Sequence, residues 1–142
     1  MMSMESLWPQ LGNLSQDVPV QILKSQADIF NREMKGILEC EVSSSEISTK
    51  GVFIPGIDKD FTSKLIVTSP QLINYSLVLV QVNNFIARAY PCEVINCVND
   101  NLVNNGITAN NADDFKRILG SILRSQEVVT ALQNLIAQTE NL

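Results

Sequence analysis

The chain has 142 residues, with ten Lys and Arg against fifteen Asp and Glu, no histidine, and a net charge of −5. A chain near this length buries about 68–70% of its unfolded surface, so one domain can hold a core without disulfides or metal. The 45% hydrophobic content excludes disorder of the whole. The acidic balance, with no basic run, leaves little to neutralise a phosphate backbone, so nucleic acid is not an expected partner.

Residues 1–16 read as an arm: polar, with Leu7, Trp8, Leu11 and Leu14 scattered through it, and with Pro9 interrupting any helix. The arm lacks the basic and long apolar regions of a signal peptide. No apolar run in the chain approaches the roughly 20 residues that span a bilayer, and a cytoplasmic location is expected. Residues 17–142 read as a single α+β domain. Asp17 is placed to cap a helix with Pro19 in its first turn. Ile22, Leu23, Ala27, Phe30 and Met34 supply its apolar stripe, and Gly36 closes it.

From Ile37 the period changes to two, with Leu38, Cys40 and Val42 on one face and Glu39 and Glu41 on the other, which predicts a half-buried strand. Ser43–Glu46 reads as a turn. A strand follows near residues 49–57, where Pro55 argues for an edge position, and another over Phe61–Ser69, ended by Pro70. The run Leu77–Val80, bounded by Asn74 and by Asn83-Asn84, is unbroken in its apolar character. It is expected to be a central strand buried on both faces, with helices over one and the arm or a second subunit over part of the other. A fifth strand over Arg88–Cys97 contains Pro91, which demands a bulge or a free edge.

Val98–Asn111 is dense in Asn around Asn105-Gly106 and reads as an exposed loop. Asn110 or Asn111 then caps a helix carrying Phe115, Ile118, Leu119 and Ile122. Ser125 is placed either to cap a second helix to about Gln138 or to mark a kink in one continuous helix. The order is one helix, about five mainly antiparallel strands joined as a meander, and one or two helices packed on the sheet.

Catalytic chemistry is hard to place in this text. The absence of histidine removes the usual general base near neutral pH, the Ser-His and Cys-His pairs, and the common nitrogen ligand of metals. Glu39 and Glu41 share a strand face at i, i+2 spacing, which reads as the solvated face of an amphipathic strand before it reads as a catalytic pair. Cys92 and Cys97 fall outside Cys-x2-Cys spacing, and with Cys40 they read as buried free thiols. Asp58 and Asp60 lack the further acids of a calcium loop, and the glycines never cluster into a phosphate cradle. No catalytic residue, cofactor or metal is therefore expected.

Trp8, the only tryptophan, is expected either to plug the open face of its own sheet or to dock on a partner. The Asn-rich loop, with Asn104 and Asn105 at its centre, is long enough to serve as a binding loop. A small acidic α+β domain of this kind is similar in general shape to bacterial secretion chaperones and to toxin-neutralising immunity proteins. The expected function is a non-enzymatic protein-binding module with an acidic surface for a basic protein partner. The alternative is a small-ligand-binding domain or a small carboxylate-dependent enzyme, and a deep pocket with convergent polar groups around Glu39 or Glu41 would favour it.

Overall fold

The computed structural model describes residues 5–9, 11, 17–47, 60–98 and 106–142. Helix α1 (Pro19–Met34) is followed by strands β1 (Glu39–Ile47), β2 (Asp60–Thr68), β3 (Ser76–Phe85), β4 (Arg88–Asn96) and β5 (Ile107–Ala109), then by helices α2 (Ala112–Leu123) and α3 (Gln126–Glu140). The strands form one antiparallel sheet in the order β1-β2-β3-β4-β5. The architecture is the α+β arrangement read from the sequence, with β3 central. The strand expected at residues 49–57 lies outside the described residues.

Four helix ends follow local chemistry. Val18, and not Asp17, occupies the N-cap of α1, and it makes no side-chain cap; Pro19 takes the first helical position, and the Asp17 carbonyl accepts from the Tyr90 hydroxyl. At the other end the chain leaves α1 through two residues of positive φ, Lys35 at 49° and Gly36 at 89°. Asn111 caps α2 by accepting from the Asp114 N–H at 2.8 Å, and Ser125 caps α3 through the Val128 N–H at 3.4 Å. Residues 112–140 are thus two helices broken at Arg124-Ser125.

Ser43–Glu46 is not a turn but continues β1, where Ser43 to Glu46 pair with Lys64 to Phe61 of β2. Cross-strand pairing overrides the turn preference of serine wherever the side chains can face water. For the same reason Asn83 and Asn84 lie inside β3 rather than beyond its end. Part of the expected Asn-rich loop is the short edge strand β5. Pro91 sits at an irregularity, as its missing N–H requires: the pairing jumps from Asn83↔Glu93 to Phe85↔Arg88.

The central run departs from expectation in one consequential way. Leu65 pairs with Val80 and Ile66 with Val78, so Leu79 is an extra residue with no partner on β2. Such a bulge breaks the two-residue alternation and turns consecutive side chains to the same side. Leu79 and Val80 therefore both enter the core, with Val82 and Val94 beside Val80, while Val78 alone of the run faces the opposite side. The strand is not a two-sided one. Its buried face joins Leu23, Leu38, Val67, Phe115, Val128 and Leu135 in a single core under the helices. A buried bond between the Ser69 and Thr139 hydroxyls, at 2.9 Å, ties the end of β2 to the last turn of α3.

Candidate functional site

The described helices all pack on one side of the sheet, where Cys40, Leu65 and Leu79 meet Phe30, Val128 and Leu132. Side chains of directly opposed residues share a face, so the register alone places into rows the residues of the other face, open in that no described helix covers it. One row crosses all five strands as Ser45, Thr62, Asn83, Glu93 and Thr108. The next holds Ser43, Lys64, Gln81 and Ile95, and a third holds Glu41, Ile66 and Val78.

The first row is hydrogen-bonded through its centre. The Asn83 carbonyl oxygen Oδ1 accepts from the Thr62 hydroxyl at 2.9 Å and from Gln81 Nε2 at 3.1 Å, while Asn83 Nδ2 donates to Glu93 Oε1 at 3.0 Å. Thr62 is almost wholly buried, so this acceptor satisfies a hydroxyl that has lost its water. Gly106 makes the Glu93 position possible. A β-carbon there would fall within the Glu93 side chain, so only glycine lets that side chain lie across the start of β5.

Beside the row is a hollow of about 290 Å³ bordered by Asp60, Asn83, Phe85, Pro91 and Glu93. The Arg88 guanidinium stands 4.8 Å from the Phe85 ring centre at its margin. Further along, Ile66, Val78 and Ile95 form a half-buried apolar strip, with Glu39 and Glu41 exposed at its β1 side. Among the described residues, the charged ones of the face are Glu39, Glu41, Asp60 and Glu93 against Lys64 and Arg88, an acidic excess.

A second hollow, about 280 Å³, lies at the β1 edge and is lined by Glu39 and Glu41 together with Asn31, Leu38, Cys40 and Thr68. Its amide is already committed. Asn31 Nδ2 donates to the Cys40 carbonyl at 2.9 Å and Asn31 Oδ1 accepts the Cys40 N–H at 2.7 Å, so a helix side chain pairs with the outer edge of β1 as a strand would. The two glutamates both line it and are exposed to solvent.

Among the described residues no group of three or more His, Cys, Asp or Glu is placed to hold a metal ion. The cysteines are free thiols: Cys40 and Cys92 are buried and Cys97 is half-buried. Burial pushes Cys40 up to about 12, with Glu41 adding to it, and pushes Cys92 up to about 11, with Asp114 adding. Burial also raises Cys97, against the pull of Lys64.

The sequence-selected residues fare differently. Trp8 is 78% exposed, and Leu7 and Leu11 are 90% and 75% exposed, so the described arm residues plug nothing in their own chain. Asn104 and Asn105 lie outside the described residues. Sequence reasoning missed Thr62, Asn83 and Glu93, whose only trace is polar residues alternating with apolar ones along strands. Among the described residues, no helix is long and apolar enough to cross a membrane. No family model, no curated protein and no solved structure matches this chain.

Proposed function

We propose that this chain is a non-enzymatic protein-binding module, and that it takes a basic segment of its partner across the open face of the sheet. The observation that carries the reading is an apolar strip of Ile66, Val78 and Ile95 on a face that no described helix covers, rimmed by Glu39, Glu41, Asp60 and Glu93. Apolar area supplies affinity there, and the acidic rim supplies steering and choice of partner. The Thr62–Asn83–Glu93 row keeps the polar part of the surface ordered before a partner arrives, which lowers the entropy cost of binding.

At about 290 and 280 Å³ these two hollows lie at the lower end of the roughly 300–1,000 Å³ of ligand pockets, and each has room for a side chain of a partner. A Lys or Arg of the partner entering between Asp60 and Glu93 would meet two carboxylates and the edge of Phe85.

A photo-crosslinking residue placed at Ile95, on the open face, or at Lys116, exposed on α2, tests the reading in extracts of the native host. Capture of a basic protein from position 95 and not from 116, weakened by Glu41→Gln together with Glu93→Gln, is expected. Equal capture from both positions, or capture of an acidic protein, would refute it.

A further inference from the structure

Helices α1 and α3, with the end of α2, leave a mainly apolar cleft of about 160 Å³, walled by Phe30, Leu123, Val128 and Leu132, floored by Leu65 and Leu79, and with Gln26 and Glu33 of α1 also in its lining. Ile29 stands at its mouth, 38% exposed. A cavity of about 150 Å³ with Leu, Ile and Phe walls accepts a benzene ring, so this cleft has room for the six-membered ring of one aromatic side chain, the rest of an indole lying at its open mouth. The same chain carries an arm whose described large apolar residues, Leu7, Trp8 and Leu11, stand in solvent. Three such residues within one short stretch form a docking surface rather than scattered exposure, and tryptophan is the residue that most often anchors an interface.

We infer that the occupant of the cleft is Trp8 from a second copy of this chain, with Leu7 and Leu11 packing at the rim near Ile29, and that two copies exchange arms reciprocally. Three observations choose this occupant. The chain from Trp8 to Pro19 extends to at most roughly 40 Å, ample to reach a neighbour's α1, on which Ile29 lies about 15 Å beyond Pro19. Leu7, Trp8 and Leu11 stand exposed and clear of their own cleft, although that tether would let them fold back. The arm also matches the cleft in polarity: residues 1–16 carry Glu5 as their one charged side chain, and the cleft is apolar but for Gln26 and Glu33 in its lining, so a nearly neutral segment meets a mainly apolar surface. Exchange of identical arms gives a closed two-fold dimer, since the same patch and the same arm serve both copies.

Trp8 reports on its own burial, because no other tryptophan contributes to the emission. Fluorescence and sedimentation are followed together over a dilution series of the full chain. The expected result is blue-shifted emission in a dimer at high concentration, moving to solvent-like emission in a monomer on dilution. Trp8→Ala and Ile29→Glu each abolish the dimer without changing the far-UV circular dichroism or the melting of the monomer. Mixing the two variants restores a mixed dimer, because the Ile29→Glu chain offers an arm and the Trp8→Ala chain a cleft. Solvent-like emission at every concentration in a monomer overturns the inference, as does blue-shifted emission in a monomer, which places the arm in its own cleft. A dimer that survives Trp8→Ala overturns it too.

Discussion

Leu79 and Val80 decide whether the sheet has one core or two. If the strand alternated regularly, they would point to opposite faces and truncating them would damage independent sites. With the bulge, both enter the core beneath the helices, Val80 wholly buried and Leu79 nearly so. Leu79→Ala removes three carbons, worth about 2.4 kcal/mol at roughly 0.8 kcal/mol per buried methylene, before any cavity is counted. The lost volume merges with the cleft that Leu79 already lines beside Phe30 and Leu132, so collapse is poor and the total should approach the upper part of the roughly 2–5 kcal/mol range. Val80→Ala removes two carbons, about 1.6 kcal/mol from transfer, with a cavity contribution on top. Neighbours in one core couple by about 0.5–3 kcal/mol, whereas distant sites add to within about 0.3–0.5 kcal/mol. Urea or guanidinium titration of wild type, the two single variants and the double variant therefore measures the geometry. A double variant differing from the sum of the singles by more than about 0.5 kcal/mol is expected. Additive losses, with Glu41→Ala as a surface control changing stability by only about 0.5 kcal/mol, would refute the bulge argument.

Asn83→Ala takes the acceptor from the buried Thr62 hydroxyl and should cost about 1–3 kcal/mol by chemical denaturation, while Thr62→Val combined with Asn83→Leu should recover much of the loss. Burial holds the Cys40 and Cys92 thiols protonated up to about 12 and about 11, whereas the unfolded chain releases those protons from 9.0 upward. The unfolded state then binds fewer protons, so the contribution is full below pH 9 and stability falls as pH rises toward 11 and 12. A Cys40→Ala/Cys92→Ala variant, whatever its starting stability, should show a flatter denaturation midpoint over that window; an unchanged slope would assign the effect elsewhere. A thiol reagent should modify the half-buried Cys97 first in the native protein and reach the other two only on denaturation. Gly36→Ala meets no neighbour but must hold φ near 89°, and should lower stability by about 1–2 kcal/mol in thermal melts.

The helices were legible because their information is local. Ile22, Leu23 and Ala27 repeat at helical spacing, and Asn111 and Ser125 cap through groups three residues away. Asp17 misled because it is the favoured cap type, yet Pro19 at the first helical position moves the cap to Val18. The strands were legible where one face alternates, as in Leu38, Cys40 and Val42. They were illegible where both faces are polar: the Ser43–Glu46 end of β1 pairs with Phe61–Lys64 of β2, and nothing local distinguishes such a strand from a turn. Strand β5 is three residues long, too short for any period to appear.

The open face was hidden for a different reason, which is parity. Counting by twos from Leu77 puts Leu79 and Gln81 on one face, and Val78, Val80 and Val82 on the other, so the polar Gln81 shares its side with two leucines. The extra residue at Leu79 resets the count. Leu77, Leu79, Val80 and Val82 then fall together on the helix side, and Val78, Gln81 and Asn83 on the other. Only after that reset can Asn83 stand between Thr62 and Glu93, because only then do the polar positions of β2, β3 and β4 share a face. A single bulge thus both completes the core and turns polar side chains outward. The dependence on partner register is why neither the row nor the surface around it can be read from β3 alone.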